Sequence, residues 1–465
     1  MLETDDWAVF DSAHDHATRY LQALGARPVD AKVGPADIID RALARLPHHG
    51  RTPIEVIGEL VDTFDPGLVA SSGGRFFGWV TGGTYPVGIA ADWLTSAWDQ
   101  LSGPGPASPA ANAADVIVGR WLVDLFGLPA QSMVGLVTGT QMANFVGLAA
   151  GRNAQLGRTG WDVERRGLAG APPIRVVTGC ERHVTVDTAL RYLGVGTDSV
   201  VPVDCDDQGR VVPAAFATAL STTSGPTLVC LSAGNVNTGS FDAFAELIPV
   251  ARAAGAWIHI DGAFGLWAAA NPATAYLTAG IEGADSWAVD AHKWLNAPYD
   301  NAAVIVADPA VLLASMSTNA DYLTPNETTI DPLAKVPEMS RRARGFAFYA
   351  VLRHLGRAGV ADLVERGCAN ARLFRDLLSD VPGIRIVNDV VVNQVLIACD
   401  RADPAMVAMA VRSSGEAFLT PSKWRGQPVL RLSVSGWRTD AADVARTVRA
   451  ITVALNKGSE PHSAG

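Results

Sequence analysis

The chain has 465 residues, 48% hydrophobic and 18% charged, enough to bury a large core in two or three lobes. A formal net charge of −10 argues against nucleic acid and anionic membranes as partners. Five scattered cysteines without a CxxC pair argue against a zinc site or a disulfide framework. The acidic start MLETDDWAVF lacks an apolar signal region and no apolar run reaches membrane-spanning length, so a cytoplasmic protein is expected.

In chain order, Val9, Phe10, Ala13, Ala17, Tyr20, Leu21 and Leu24 fall at helical spacing, and Gly25 and Pro28 end that helix. A second helix is predicted from Pro35 to Leu46. This leading segment is too small to hold its own core, so it should pack on another lobe or another subunit. Gly73–Pro86 interleaves aromatics with glycines, which suits a loop lining a pocket or a glycine-rich turn with core aromatics. Ala107-Ser-Pro-Ala110 opens a helix through Phe126, with Val116, Trp121, Leu122, Leu125 and Phe126 as its buried stripe. Residues 134–144 then read as a strand, a Thr-Gly-Thr turn and a helix start. Free backbone N–H groups and small hydroxyls there suit a phosphate, or the turn is an ordinary one capped by threonine.

From residue 174 the pattern alternates. Strands are predicted at Ile174–Thr178, Thr227–Ser232 and Ala256–Ile260, with helices at His183–Leu193 and Phe241–Ala254 between them. Such alternation implies βαβ units and a mostly parallel sheet. Asp261 ends the apolar Trp257-Ile-His-Ile260, so its carboxylate should be largely dry and in need of a cationic partner. A helix cap, or a metal ligand with His259 on the same strand face, are the competing readings. Two further strands, Ala284–Asp290 and Ala302–Ala307, flank Lys293. A lysine in such a turn is either solvated or a desolvated, nucleophilic amine able to form a Schiff base with an aldehyde cofactor. Beyond the basic run 341–344, helices Gly345–Leu355, Ala361–Leu378, Pro404–Ser413 and Ala441–Leu455 alternate with strands Ile384–Val387, Asn393–Cys399 and Val429–Val434, a small α+β lobe.

Thr140-Gln141, His183, Asp261 and Lys293 together supply a phosphate cradle, a flat ring, a carboxylate and an amine, the set that pyridoxal 5'-phosphate needs. With Thr84-Tyr-Pro86, Ala107-Ser-Pro-Ala110, Ser240-Phe-Asp242, His259-Ile-Asp-Gly-Ala263, Asp290-Ala-His-Lys-Trp294 and Leu430-Arg-Leu-Ser433, the chain resembles the group II pyridoxal-phosphate-dependent amino-acid decarboxylases. These are the aromatic-amino-acid, histidine and glutamate decarboxylases. The resemblance implies an α/β protein of type I aminotransferase fold. Its expected parts are an N-terminal helical segment (1–75) packing on a dimer partner, a large cofactor-binding domain with a mostly parallel sheet (76–340) and a small α+β C-terminal domain (341–465). It also implies a homodimer with active sites at the interface. By the same resemblance Lys293 is the aldimine lysine and His292 contacts the phosphate or supports the lysine. His183 stacks on the pyridine, Asp261 pairs with its nitrogen and Ala263 packs beneath the ring. Thr140 and Gln141 bind phosphate, and Trp79 and Thr81 line the substrate pocket. The expected reaction is decarboxylation of an L-amino acid through a quinonoid, and Phe76, Phe77 and Trp79 favour an aromatic or apolar side chain.

Two departures stand out. Gly234-Asn-Val-Asn237 replaces the family's Gly-Thr-Thr, so Asn235 or Asn237 is expected to take over a cofactor contact. The loop 323–337 lacks the tyrosine with which family members protonate the quinonoid; Asp331 falls near its position and Tyr322 stands at the loop's start. Members without that tyrosine can divert to oxygen and release aldehydes. Decarboxylation-coupled oxidative deamination, or another carbon–carbon lyase reaction, is therefore the alternative.

Overall fold

The computed structural model describes residues 4–42, 45–318 and 329–458. Among them, seven strands form the large sheet: β1 (Met133–Val137), β2 (Arg175–Gly179), β3 (Val200–Val203), β4 (Thr227–Ser232), β5 (Trp257–Asp261), β6 (Ser286–Asp290) and β7 (Ala302–Val306). Their order is β1-β7-β6-β5-β4-β2-β3. β3, β2, β4, β5 and β6 run parallel, and β7 is antiparallel to both its neighbours. The sequence explains both facts. Strands such as Thr-Leu-Val-Cys-Leu and Ala-Ala-Val-Ile-Val are apolar on both faces, as a sheet covered on both sides requires. The segment joining β6 to β7 is too short for a crossover helix, so β7 must reverse direction. Lys293 consequently lies in a tight turn at the carboxyl end of β6.

One apolar cluster fills each face of this sheet. The helix Thr140–Gly157 lies directly on β5 and β6. A Cβ on Gly147 would stand 2.6 Å from His259 Nδ1, and one on Gly151 would stand 2.5 Å from Trp257, so these glycines set how closely helix and strand approach.

The small sheet, β8 (Ile384–Ile386), β9 (Gln394–Cys399), β10 (Thr420–Trp424) and β11 (Gln427–Ser433), is antiparallel in the order β10-β11-β9-β8. β10 is a strand that apolar patterning does not reveal, because Thr-Pro-Ser-Lys-Trp is largely polar. Its signal is the two-residue turn Arg425-Gly426, both with positive φ (47° and 80°), which closes a hairpin. Gly345–Ser379 holds the two helices expected there, which meet at a kink where Gly356 leaves helical geometry (φ 60°, ψ −178°). Its first part packs in the large core, through Phe348 and Leu363, and its end packs in the small one, through Phe374 and Leu378. Phe77 also belongs to the small lobe's core, edge-on to Phe374 at 5.0 Å.

Ahead of the sheet lie helices Thr4–Ala23, Pro35–Arg41 and Pro53–Phe64. The second is shorter than predicted, because Ala42 turns extended (φ −73°, ψ 158°). The third was not anticipated, although Thr52 and Glu55 form the capping box that announces it. This segment leaves Trp7 and Phe10 59% and 60% exposed, and the helix Pro86–Trp98 likewise exposes Trp93, Leu94 and Trp98. Among the described residues no helix is long and apolar enough to cross a membrane.

Candidate active site

Parallel strands bring their carboxyl ends to one edge of the sheet. Ser232 of β4 pairs in register with Asp261 of β5, and Asp261 with Ala288 of β6. Ligands bind at such edges in open α/β sheets. A cleft of about 250 Å³, open at its mouth, lies there. Thr140, Gln141, His183, Asn235, Asp261, Ala263, His292 and Lys293 all line it, so eight positions far apart in the chain converge.

Lys293 is 24% exposed and not free: its Nζ lies 2.7 Å from Asp290 Oδ2. Asp290 itself is buried. Its Oδ1 accepts from the Thr140 backbone N–H at 2.6 Å and lies 3.5 Å from His292 Nε2. This carboxylate lines the cleft and was not among the expected site residues, although it ends its strand just as Asp261 does. The turn carrying Lys293 is itself pinned. Asn296, wholly buried at φ 60°, donates to the carbonyls of Trp294 (2.6 Å) and Ser435 (2.9 Å) and accepts from the Trp437 N–H (2.9 Å). His292 accepts from the Asn301 N–H (3.3 Å), stacks on Tyr299 at 4.3 Å, and has its pKa lowered by burial despite the nearby Asp290.

Asp261 is 8% exposed and accepts from Asn144 Nδ2 (3.2 Å) and the Ala263 N–H (3.3 Å). The metal alternative finds no support. His259 uses both ring nitrogens on Ser286 and Asn144, and no metal-holding cluster of His, Cys, Asp and Glu occurs among the described residues. His183 caps the helix Val184–Tyr192, its Nδ1 bonded to the Thr185 N–H (3.3 Å) and hydroxyl (2.8 Å). Those bonds fix the ring, which stands exposed to the open cleft while the surrounding walls depress its pKa.

The residues fit pyridoxal phosphate. Thr140 opens its helix, and its Oγ1 is buried with no hydrogen-bond partner among the described residues. Its N–H already serves Asp290, which leaves that hydroxyl and exposed Gln141 as the groups that would meet a phosphate there. Asn235 lines the cleft, but its side chain holds its own loop. Oδ1 accepts from the N–H groups of Asn237 (2.9 Å) and Thr238 (3.2 Å), and Nδ2 donates to the Glu181 carbonyl (3.3 Å). Asn237 instead accepts from Ser422 Oγ (2.8 Å) and does not line the cleft. Trp79 (φ 49°) is 58% exposed and packs on Phe418 at 5.4 Å. Its neighbour Val80 is the one that lines the cleft, while Trp79 and Thr81 flank it. Of the loop without tyrosine, Tyr322 and residues 323–328 lie outside the described residues. Asp331 starts the short turn Pro332–Ala334 and does not line the cleft.

The family model of the pyridoxal-dependent decarboxylase conserved domain matches residues 35–399. The chain belongs to that family. This decarboxylase-family chain is 27% identical over 400 residues to tryptophan decarboxylase 1 of Oryza sativa subsp. japonica, covering 81% of the chain and 77% of the relative. It is 25% identical over 365 residues to 4-hydroxyphenylacetaldehyde synthase of Rhodiola rosea, covering 76% and 72%. Its fold superposes on the crystal structure of Oryza sativa TDC with PLP and tryptamine with a TM-score of 0.92, at 24% identity over 99% of each chain. The fold is that of type I pyridoxal-phosphate enzymes, the cofactor is pyridoxal 5'-phosphate, and the enzyme is a carboxy-lyase.

Two buried groups beside the cleft predict an unusual pH response. Burial depresses His259 from 6.5 to about 4, and burial raises Asp242 from 3.8 to about 6, although Asp242 accepts N–H groups from Ser232 (2.7 Å) and Val211 (2.8 Å). The unfolded chain protonates its histidine below 6.5, whereas the native one does so only near 4, so stability is lost as pH falls through that window. Asp242 works the other way, since the native carboxyl takes up its proton before the unfolded one. Each contribution is worth roughly 3 kcal/mol, and they nearly cancel. Asp242→Asn removes the offset. Urea unfolding of that variant should lose stability more steeply than wild type between pH 6.5 and 4; parallel profiles would refute this.

Proposed function

We propose that this enzyme decarboxylates an L-amino acid with an aromatic or apolar side chain and releases the amine. The observation that carries the proposal is the cleft's lining. Val80, Val236 and Phe264 supply apolar walls, and Lys293 is the one lysine or arginine among the described lining residues. A second cation, Arg431 on β11, sits behind Val236. It donates to the Val236 carbonyl (3.1 Å), and its Nε is buried without a partner among the described residues. One such guanidinium suits one carboxylate, the α-carboxylate of any amino acid, and leaves no cation for an acidic side chain.

In this reading bound pyridoxal phosphate supplies an aldehyde for amine capture and a cationic ring that takes the electron pair left by CO2. Lys293 would hold the cofactor's aldehyde carbon, and Asp290, 2.7 Å from its Nζ, positions that side chain. Thr140 and Gln141 hold the phosphate, Asn235 shapes the loop beside it, and Ala263 leaves room under the ring. His183 presents its fixed ring face to the cofactor. Asp261 would pair with the ring nitrogen and favour its proton. Trp79 and Thr81, at the cleft's edge, complete the substrate pocket together with a second copy of the chain. The exposed Trp7, Phe10, Trp93 and Trp98 support a homodimer, because a lone chain leaves them in water. Sedimentation should show twice the 48.7 kDa chain mass; a stable monomer at micromolar concentration would exclude it.

The loop without tyrosine, together with the likeness to an aldehyde synthase, favours one second reading: decarboxylation coupled to oxidative deamination with dioxygen. A panel of amino acids assayed separately for amine, and for aldehyde with ammonia and peroxide, tests both. Tryptophan, tyrosine or phenylalanine should turn over with amine as product. Turnover confined to glutamate or aspartate would refute the substrate class, and aldehyde as main product would replace the first reading by the second.

A further inference from the structure

His259 lies on β5 two residues before Asp261, is 0% exposed, and touches nothing in the cleft directly. Its ring sits between β5 and the helix Thr140–Gly157, in space that the missing Cβ of Gly147 leaves free. Nδ1 is 2.8 Å from Ser286 Oγ and Nε2 is 2.9 Å from Asn144 Oδ1. Asn144 Nδ2 continues to Asp261 Oδ2 at 3.2 Å, and Trp257 Nε1 reaches Ser286 Oγ at 3.1 Å. Trp257, Ser286 and Asn144 are likewise buried.

The direction of every bond in this row follows from its two ends. An indole N–H can only donate, so Ser286 Oγ accepts from Trp257 and its single proton goes to His259 Nδ1. An ionised carboxylate can only accept, so Asn144 turns Nδ2 toward Asp261 and Oδ1 toward His259. That oxygen requires a proton on Nε2. Both ends therefore demand the same tautomer. The reverse tautomer would place an amide oxygen against a carboxylate in a dry interior, an arrangement that low dielectric makes costly.

We propose that Trp257, Ser286, His259 and Asn144 form a one-way donor relay that positions Asp261. The relay holds His259 as the Nε2–H tautomer and gives Asp261 Oδ2 a fixed N–H donor from behind. The carboxylate thus stays oriented toward the cleft, where the cofactor's ring nitrogen would bind. His259 and Ser286 are positioning residues that act through Asn144 and make no contact with cofactor or substrate. The relay rests on the assignment of Asp261 to the ring nitrogen made above. Burial also keeps His259 neutral down to about pH 4, so ordinary pH does not break the row.

The first test needs no cofactor. Nitrogen-15 spectra of the full apo chain labelled at histidine should show one buried imidazole protonated at Nε2, unresponsive between pH 6 and 8. A proton on Nδ1, or titration in that range, overturns the relay. The second test uses Ser286→Ala and Ser286→Thr. Alanine should raise the pyridoxal-phosphate dissociation constant about threefold to tenfold and lower kcat by a like factor at unchanged KM. Threonine, which keeps the hydroxyl, should restore both. An alanine variant that melts earlier yet keeps the wild-type dissociation constant and cofactor absorbance shows a merely structural role and refutes the proposal. If Asp261→Asn leaves cofactor binding and absorbance unchanged, the ring-nitrogen assignment falls instead, and the apo tautomer still reports on the row itself.

Discussion

Lys293→Ala and Lys293→Arg should both abolish turnover, with kcat falling by on the order of 10⁴ or more. Lys293 is the one amine lining the cleft among the described residues, held at the end of β6 by a turn that Asn296 locks. The two variants separate chemistry from charge. Alanine leaves buried Asp290 without its cation, so stability falls as well, by about 3–5 kcal/mol if the pair behaves as buried pairs do. The 24% exposure of Lys293 places the loss toward the lower end of that range. Arginine keeps a positive charge beside Asp290 but offers no nucleophilic nitrogen, because its guanidinium stays protonated. The arginine variant should therefore be folded and inactive, and lack the visible absorbance of cofactor bound through the lysine. Steady-state kinetics with thermal melting would decide. Activity within tenfold of wild type in either variant would remove Lys293 from the chemistry.

Asp261→Asn should lower kcat by about 10²–10³, comparable with removing one preorganised electrostatic contact from a dry active site. The carboxylate is 8% exposed and faces the cleft with two donors behind it. Asparagine has nearly the same shape and can still accept from Asn144, so the fold should survive. What it lacks is the charge that, in the proposed role, would keep a ring nitrogen cationic. The decrease should appear in kcat, with cofactor affinity falling in parallel. A kcat within threefold of wild type would show that electron withdrawal in this enzyme does not depend on Asp261.

Both residues were legible in the chain, and the reason is local. Asp261 follows four nearly apolar residues, Lys293 sits between two apolar strands, and the spacing of strands and helices forces a parallel sheet whose carboxyl ends coincide. His183, Thr140 and Gln141 were legible for the same reason, since each begins the helix after a strand. Asp290 meets the same criterion, since it ends β6 just as Asp261 ends β5. Asn144 carries no local signal. It lies one turn inside a helix, and only the packing of that helix on β5 brings its amide between His259 and Asp261.

The amino-acid sequence alone thus determined a mostly parallel α/β sheet, because apolar periodicity and strand-end position are properties of neighbouring residues, while the cofactor followed from the resemblance of its motifs to a known family. Tertiary structure alone decided which polar groups are already engaged. It paired Lys293 with Asp290 and occupied the Thr140 N–H. It also turned the Asn235 side chain onto its own loop and set Val80 rather than Trp79 in the cleft wall. Such assignments depend on distances of about 3 Å between residues as far apart as 150 positions, as with Thr140 and Asp290. The chain order does not encode them until the sheet brings the ends of β4, β5 and β6 to one edge.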